Sequence, residues 1–188
     1  MWALAFLTTV VSVMVPIQNY DAMRAYDRSR IVIENKGKFI PTRPTFFDVG
    51  PETGRILNLH YFPALELFNA GRYTDAEDNL TYVLERPDYI NGNPQQQEFL
   101  STAFYTRAMI YLYHASGIGR YSLARADFES ALRWNPKNFL SYIELARVYS
   151  ALGFKEQAIN ILNYLLKQEP GKDVAAQAQD ELRKLTTK

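Results

Sequence analysis

From Met1 to Val15 the chain is almost wholly apolar, broken only by Thr8, Thr9 and Ser12, and no charged side chain occurs before Asp21. Pro16 closes the run, so the pattern predicts a hydrophobic helix over residues 1–17. Helical residues 1–15 span roughly 22 Å, short of the roughly 30 Å hydrocarbon core of a bilayer. A complete crossing therefore draws on Pro16 to Tyr20 or on a locally thinned membrane. A secretory signal wants Lys or Arg ahead of the apolar run and a small-residue cleavage motif behind it, and neither is present before Asp21. The expectation is an anchor embedded in a membrane or in a partner, with a signal segment and a helix packed on the chain's own domain as the other readings. Arg24, Arg28 and Arg30 against Asp21 and Asp27 leave a small basic excess on its flank. Positive-inside logic then favours the cytoplasmic side for the remainder, with periplasmic display as the alternative.

Residues 18–52 read as a connector. Ile31 to Ile33 and Phe39-Ile40 are β-prone runs on either side of an Asn35-Lys36-Gly37 turn signal, a possible short hairpin that would need a helical body or a partner to pack on. Pro41, Pro44, Gly50 and Pro51 mark irregular chain.

From Thr53 the apolar period becomes 3.6 and the pattern repeats. Gly71-Arg72-Tyr73, Gly119-Arg120-Tyr121 and Gly153-Phe154-Lys155 each stand between two helical stretches, and each glycine is expected to cap the helix before it. The helix after each glycine has one apolar face: Ala76, Leu80 and Val83, then Ala124, Phe128 and Ala131, then Ala158, Leu162 and Leu165. Pro87, Pro136 and Pro170 close the units. In each leading helix a small residue precedes a large one by three positions, as in Ala64 and Leu67, Ala108 and Tyr111, Ala146 and Tyr149. That spacing lets helices approach closely and interlock.

These residues resemble the tetratricopeptide repeat, a two-helix unit. Phe139 to Lys172 fits without a gap through Tyr142, Leu145, Ala146, Tyr149, Gly153, Ala158, Leu162 and Pro170, and Leu165 departs by being larger than the usual alanine. The middle copy, about 101–136, carries extra residues between Tyr111 and Gly119. The first, about 57–88, has Pro63 in its leading helix, which predicts a kink or a late start. A loop from Asn91 to Gln97 separates the first two copies. The resemblance implies an all-α fold over residues 53–172, a right-handed solenoid of three helix-turn-helix repeats. Residues 173–188 form a polar-backed capping helix with Asp173 as N-cap and Ala175, Ala178, Leu182 and Leu185 along one stripe.

Composition narrows the chemistry. Lys plus Arg number 21 against 20 Asp plus Glu, a net charge of +1, which removes the electrostatic reason to propose nucleic acid as the partner. With no cysteine there is no disulfide, thiolate metal site or thiol nucleophile, and His60 and His114 alone cannot build a multi-histidine site. Gly117-Ile118-Gly119 is too short for a nucleotide loop and follows a helix where a strand is needed. Asn79-Leu80-Thr81 has the form of a glycosylation sequon, but Leu80 belongs to the buried face. Asp75, Glu77 and Asp78 open a helix and suit its dipole. The expectation is no catalysis, cofactor, metal or small-molecule substrate.

Binding is the better prospect. The resemblance implies that leading helices line a concave face, and phase maps that lining to Tyr61, Phe62, Leu65 and Phe68, then Tyr105, Met109, Leu112 and Tyr113, then Ile143, Glu144 and Arg147. Family members that clamp a C-terminal carboxylate carry Lys, Asn and Arg where Tyr105, Thr106, Met109, Ile143 and Glu144 stand here, which argues against a cochaperone role. An apolar groove suits a hydrophobic or amphipathic helix, or an extended apolar segment. The competing reading makes these aromatics core, covered by Arg30 to Phe47 or by the N-terminal helix. The expected function is a scaffold or accessory subunit of a membrane-associated complex. The alternative is an exported periplasmic repeat protein that assists assembly of an envelope machine such as a pilus, secretion or cytochrome system.

Overall fold

The structure is a computed structural model that describes residues 51–90, 94–117 and 119–187. The expected anchor helix over residues 1–17 and residues 18–50 of the expected connector, with its possible hairpin, lie outside the described residues. The connector's last two positions, Pro51 and Glu52, are helical and not irregular, since proline suits the first turn of a helix. Helices α1 (Pro51–Ile56) and α2 (Phe62–Asn69) are joined without interruption by a π-helical stretch, Leu57–Tyr61. There follow α3 (Tyr73–Leu84), a 3-10 turn (Pro87–Tyr89), α4 (Pro94–Tyr113), α5 (Arg120–Trp134), α6 (Phe139–Ala151), α7 (Lys155–Lys167) and α8 (Lys172–Thr186). No strand occurs among the described residues.

Pro63 explains the π stretch. Its ring has no N–H to give and collides with the carbonyl four residues back in a regular helix. Here the turn ahead of it is widened, and the Phe62 N–H reaches Leu57 O. The leading helix of the first unit thus runs through the proline, neither starting late nor breaking.

Schellman caps at Gly71 and Gly153 end the leading helices of the first and third units. Gly71 sits at φ +80°, with Arg72 N donating to Leu67 O and Gly71 N to Phe68 O. Gly153 sits at φ +83°, with Phe154 N donating to Tyr149 O and Gly153 N to Ser150 O. Both are left-handed positions where a side chain would be strained. The Phe154 ring meets Tyr149 edge-on at 6.2 Å, the apolar contact that accompanies this cap.

The middle unit differs from the sequence expectation at both ends. Gly119 is the N-cap of α5 and not the C-cap of α4, and Gly117 takes the positive φ, at +103°. The extra residues carry α4 on to Tyr113 and leave a short irregular link. At its other end α4 starts at Pro94, so Pro94 to Gln97 are its first turn and not a loop, because proline is tolerated where the N–H has no helical partner. In α8 the N-cap is Gly171, whose carbonyl accepts from Ala175 N at 3.0 Å, while Asp173 stands in the first turn where its charge suits the helix dipole.

Packing is local in sequence: α2 lies on α3, α3 on α4, α4 on α5, α5 on α6, α6 on α7 and α7 on α8, with α6 also touching α8. The apolar faces read from the 3.6 period form the core. Ala76, Leu80, Val83, Ala124, Phe128, Ala131, Ala158, Leu162 and Leu165 all have 0% exposure. Ala64, Ala108 and Ala146 are buried at the close-approach seam, with Leu67, Tyr111 and Tyr149 half-covered beside them. Leu165 fills its enlarged place by packing in the cluster that contains Ala178 of α8.

Candidate functional site

The leading helices meet around a cavity of about 610 Å³. Leu65, Phe68 and Asn69 of α2 form one wall, and Thr102, Tyr105, Thr106 and Met109 of α4 form another. Asn135, Lys137 and Asn138 of the α5–α6 turn, Phe139 and Leu140 of α6, and Val174 of α8 complete it. Its wall is mainly apolar, with amides and hydroxyls interspersed.

The turn at the mouth is rigidly tied. Lys137 N donates to Asn135 Oδ1 at 2.9 Å, Asn138 N to Asn135 O at 3.0 Å and Phe139 N to Lys137 O at 2.8 Å. The Asn138 amide donates to Ser101 Oγ at 3.0 Å, and that hydroxyl donates to Ala131 O at 2.9 Å inside the core. One buried hydroxyl therefore holds the turn against both α4 and α5.

A second constellation joins α4, α6 and α8. The Tyr113 hydroxyl donates to Glu144 Oε2 at 2.6 Å, and Arg147 donates to Glu144 Oε1 at 2.7 Å. The other end of the Arg147 guanidinium reaches Glu181 Oε1 at 2.7 Å, and Lys184 reaches the same carboxylate at 3.0 Å. Two acids and two bases satisfy one another here, so the cluster acts as a clasp between the third unit and α8. Burial pushes the Glu181 carboxyl up, but the hydrogen bonds from Arg147 and Lys184 outweigh it and hold the group below the ordinary carboxylate range. Burial, with Glu144 adding to it, pushes the Tyr105 hydroxyl well up, so the group on the cavity wall stays neutral.

Of the residues mapped to the groove by phase, Leu65, Phe68, Tyr105 and Met109 are brought together on the cavity wall. Tyr61 and Phe62 are not: they form an edge-to-face trio with Phe99 at 5.1–6.0 Å in the core of the first unit. Leu112 and Ile143 are also core, buried against Phe128 and against Leu162 respectively. Tyr113, Glu144 and Arg147 belong to the clasp. The reason is helix breadth, since each leading helix packs on its trailing helix and on both neighbouring units, which leaves only a narrow stripe for the cavity.

Sequence reasoning missed Thr102 and Thr106, which share the Met109 stripe at helical spacing but are polar. It also missed the turn residues Asn135, Lys137 and Asn138, for which the Asn-Pro-Lys-Asn string was the available signal. His60 turns away from the cavity: its Nδ1 lies 3.0 Å from Asn79 Oδ1 and its ring stacks on Tyr82 at 3.8 Å. The Asn79 amide donates to Asp75 O, which leaves its oxygen to accept from His60. His114 stacks on Tyr73 at 3.5 Å. Among the described residues no group of three or more His, Asp or Glu could hold a metal ion, and no helix is long and apolar enough to cross a membrane.

Residues 119–182 match the tetratricopeptide repeat family. The match takes in α5 to α7 and most of α8, and it contains Phe139 to Lys172, where the repeat reads without a gap. No curated protein matches the chain.

Proposed function

Taking this chain as a tetratricopeptide repeat protein, a kind of helical scaffold for protein–protein interaction, we propose that it is a non-catalytic adaptor whose cavity receives a segment of a partner polypeptide. The observation that carries this is the cavity itself, an apolar hollow between leading helices with Phe68, Tyr105 and Met109 on its wall and a tied turn at its mouth. Aromatic side chains around a concavity supply rigid contact area and the Met109 thioether adapts to the surface it meets, as protein-binding grooves require. The further proposal is that Met1 to Ile17 holds the scaffold at a membrane complex; the charge-free run before Asp21 supports it.

The Tyr105→Ala, Met109→Ala double substitution tests the docking site. It is expected to release the co-purifying partner while the far-ultraviolet dichroism keeps its helical signal, and undiminished capture of the partner refutes the assignment. Mass spectrometry of the N-terminus tests the anchor. An intact Met1 in the membrane fraction supports it, and a chain that starts near Gln18 points to export.

A further inference from the structure

We infer that the segment received by the cavity sets its apolar side chains around one acidic side chain, Asp or Glu, which pairs with Lys137. The inference rests on the cavity being a docking site and concerns the chemistry of its occupant.

Charge balance is the basis. Among the described residues that line the cavity, Lys137 is the one whose side chain is charged at neutral pH, and none of them is a carboxylate. Cations on the same helices as the lining are paired elsewhere: Arg107 with Asp127, Arg147 with Glu144 and Glu181, Lys184 with Asp180 and Glu181, while Lys172, two residues from Val174, has no ion pair among the described residues. Lys137 has no carboxylate partner among the described residues. The Thr102 and Thr106 hydroxyls on the same wall can donate to an acceptor, so the sign of the charge preferred at the mouth is set by Lys137. Its backbone is fixed on both sides, through Asn135 Oδ1 and through Phe139 N, so an incoming carboxylate meets a lysine whose stem alone needs ordering. Lys137 is exposed, so its ammonium repels a basic segment, is indifferent to an apolar one and gains a solvent-screened pair with an acidic one.

Three end-blocked peptides test this: acetyl-Leu-Phe-Glu-Leu-Leu-amide and its Gln and Lys analogues, titrated by calorimetry into the full chain in detergent micelles. The blocked ends remove any terminal carboxylate. The Glu peptide is expected to bind about threefold to fivefold tighter than the Gln peptide in low salt, an advantage that shrinks at high salt. Lys137→Gln should erase that advantage, and Lys137→Glu should transfer it to the Lys peptide. Met109→Ala should weaken all three alike. Equal affinity for the three peptides, lost on Met109→Ala, overturns the acidic assignment and leaves the docking site standing. Absence of binding, or binding indifferent to both Lys137 and Met109, overturns the docking site and the inference together. A chain that binds the Glu peptide only after Glu34→Gln already holds its own residues 31–34, and one that must first dissociate from a dimer holds a second copy; either result overturns a foreign partner.

Discussion

Backbone conformation at single residues distinguishes the link into α8 from the turns inside the first and third units. Gly71 and Gly153 take the left-handed conformation without penalty, whereas after α7 the same role falls to Glu169, at φ +52°. A residue with a Cβ pays about 1–2 kcal/mol there, partly offset because glycine loses more freedom on folding. Glu169→Gly is therefore expected to stabilise the protein by about 0.5–1 kcal/mol, read as a higher urea midpoint; an unchanged or lower midpoint would contradict it. The Arg107–Asp127 pair is the other residue-scale determinant. Asp127 accepts from the guanidinium at 2.7 Å and 2.9 Å, and a third arm reaches Thr81 Oγ1 at 3.0 Å, so α3, α4 and α5 are tied at one point. The Asp127 side chain is 8% exposed and that of Arg107 16%, so solvent cannot replace a lost partner. Asp127→Ala should cost about 3 kcal/mol in equilibrium unfolding, because it strands a guanidinium that is largely shielded from solvent. Neither determinant was legible in the chain. A left-handed glutamate has no sequence signature, and an ion pair across two helices depends on their mutual rotation, whereas Leu80 beside Thr81 was readable because period alone decides it.

At the scale of elements, periodicity carried most of the information and termini carried the least. Faces such as Ala158, Leu162 and Leu165 follow from repeated spacing, since each position reinforces the next. Ends depend on single backbone bonds, which explains why α4 starts at Pro94 and why Gly171 caps α8 in place of Asp173. That Leu65, Phe68, Tyr105 and Met109 share a cavity wall follows from helical spacing, as the faces do. Tyr61, Phe62, Leu112 and Ile143 were misplaced because an apolar residue looks alike whether it lines a hollow or a helix seam. The clasp makes the docking of α8 sensitive to acid. The Glu181 carboxyl is held low in the folded chain, so the stability it contributes is present above the ordinary carboxylate range and is lost as pH falls through its lowered folded value. Amides of α8 should therefore lose hydrogen-exchange protection before those of α4 do as pH falls below the ordinary carboxylate range. Glu181→Gln should abolish that extra acid dependence, and an α8 that loosens in step with α4 would show that the clasp does not set it.

For the whole molecule, the consequence of packing neighbour on neighbour is that damage should stay local. The most extensive contacts run from each helix to the next, with lesser ones from α2 to α4, from α4 to α6 and from α6 to α8. In such an array stability is nearly a sum of unit terms and interface terms, so a defect at the end opens that end first. Ala178 is the place to introduce one. It has 0% exposure and packs among Ile143, Ala146, Ala158, Leu162 and Leu165, so α8 covers the apolar edge of the third unit through this contact. Ala178→Asp places a carboxylate in that seam with no cation in the cluster to receive it, and detaching α8 costs less than burying the charge. The expected result is loss of exchange protection throughout α8 and along the faces of α6 and α7 that it covers. Protection in α3 and in the first half of α4, which lie in the cluster around Leu80 and Phe99, should stay within a factor of a few of the parent protein. Val174 of α8 also lines the cavity, so the same variant should bind the partner more weakly although Tyr105 and Met109 are untouched. Uniform loss of protection from α3 to α8 would instead mean that the units fold as one cooperative block, and that the cavity cannot be opened at one end alone.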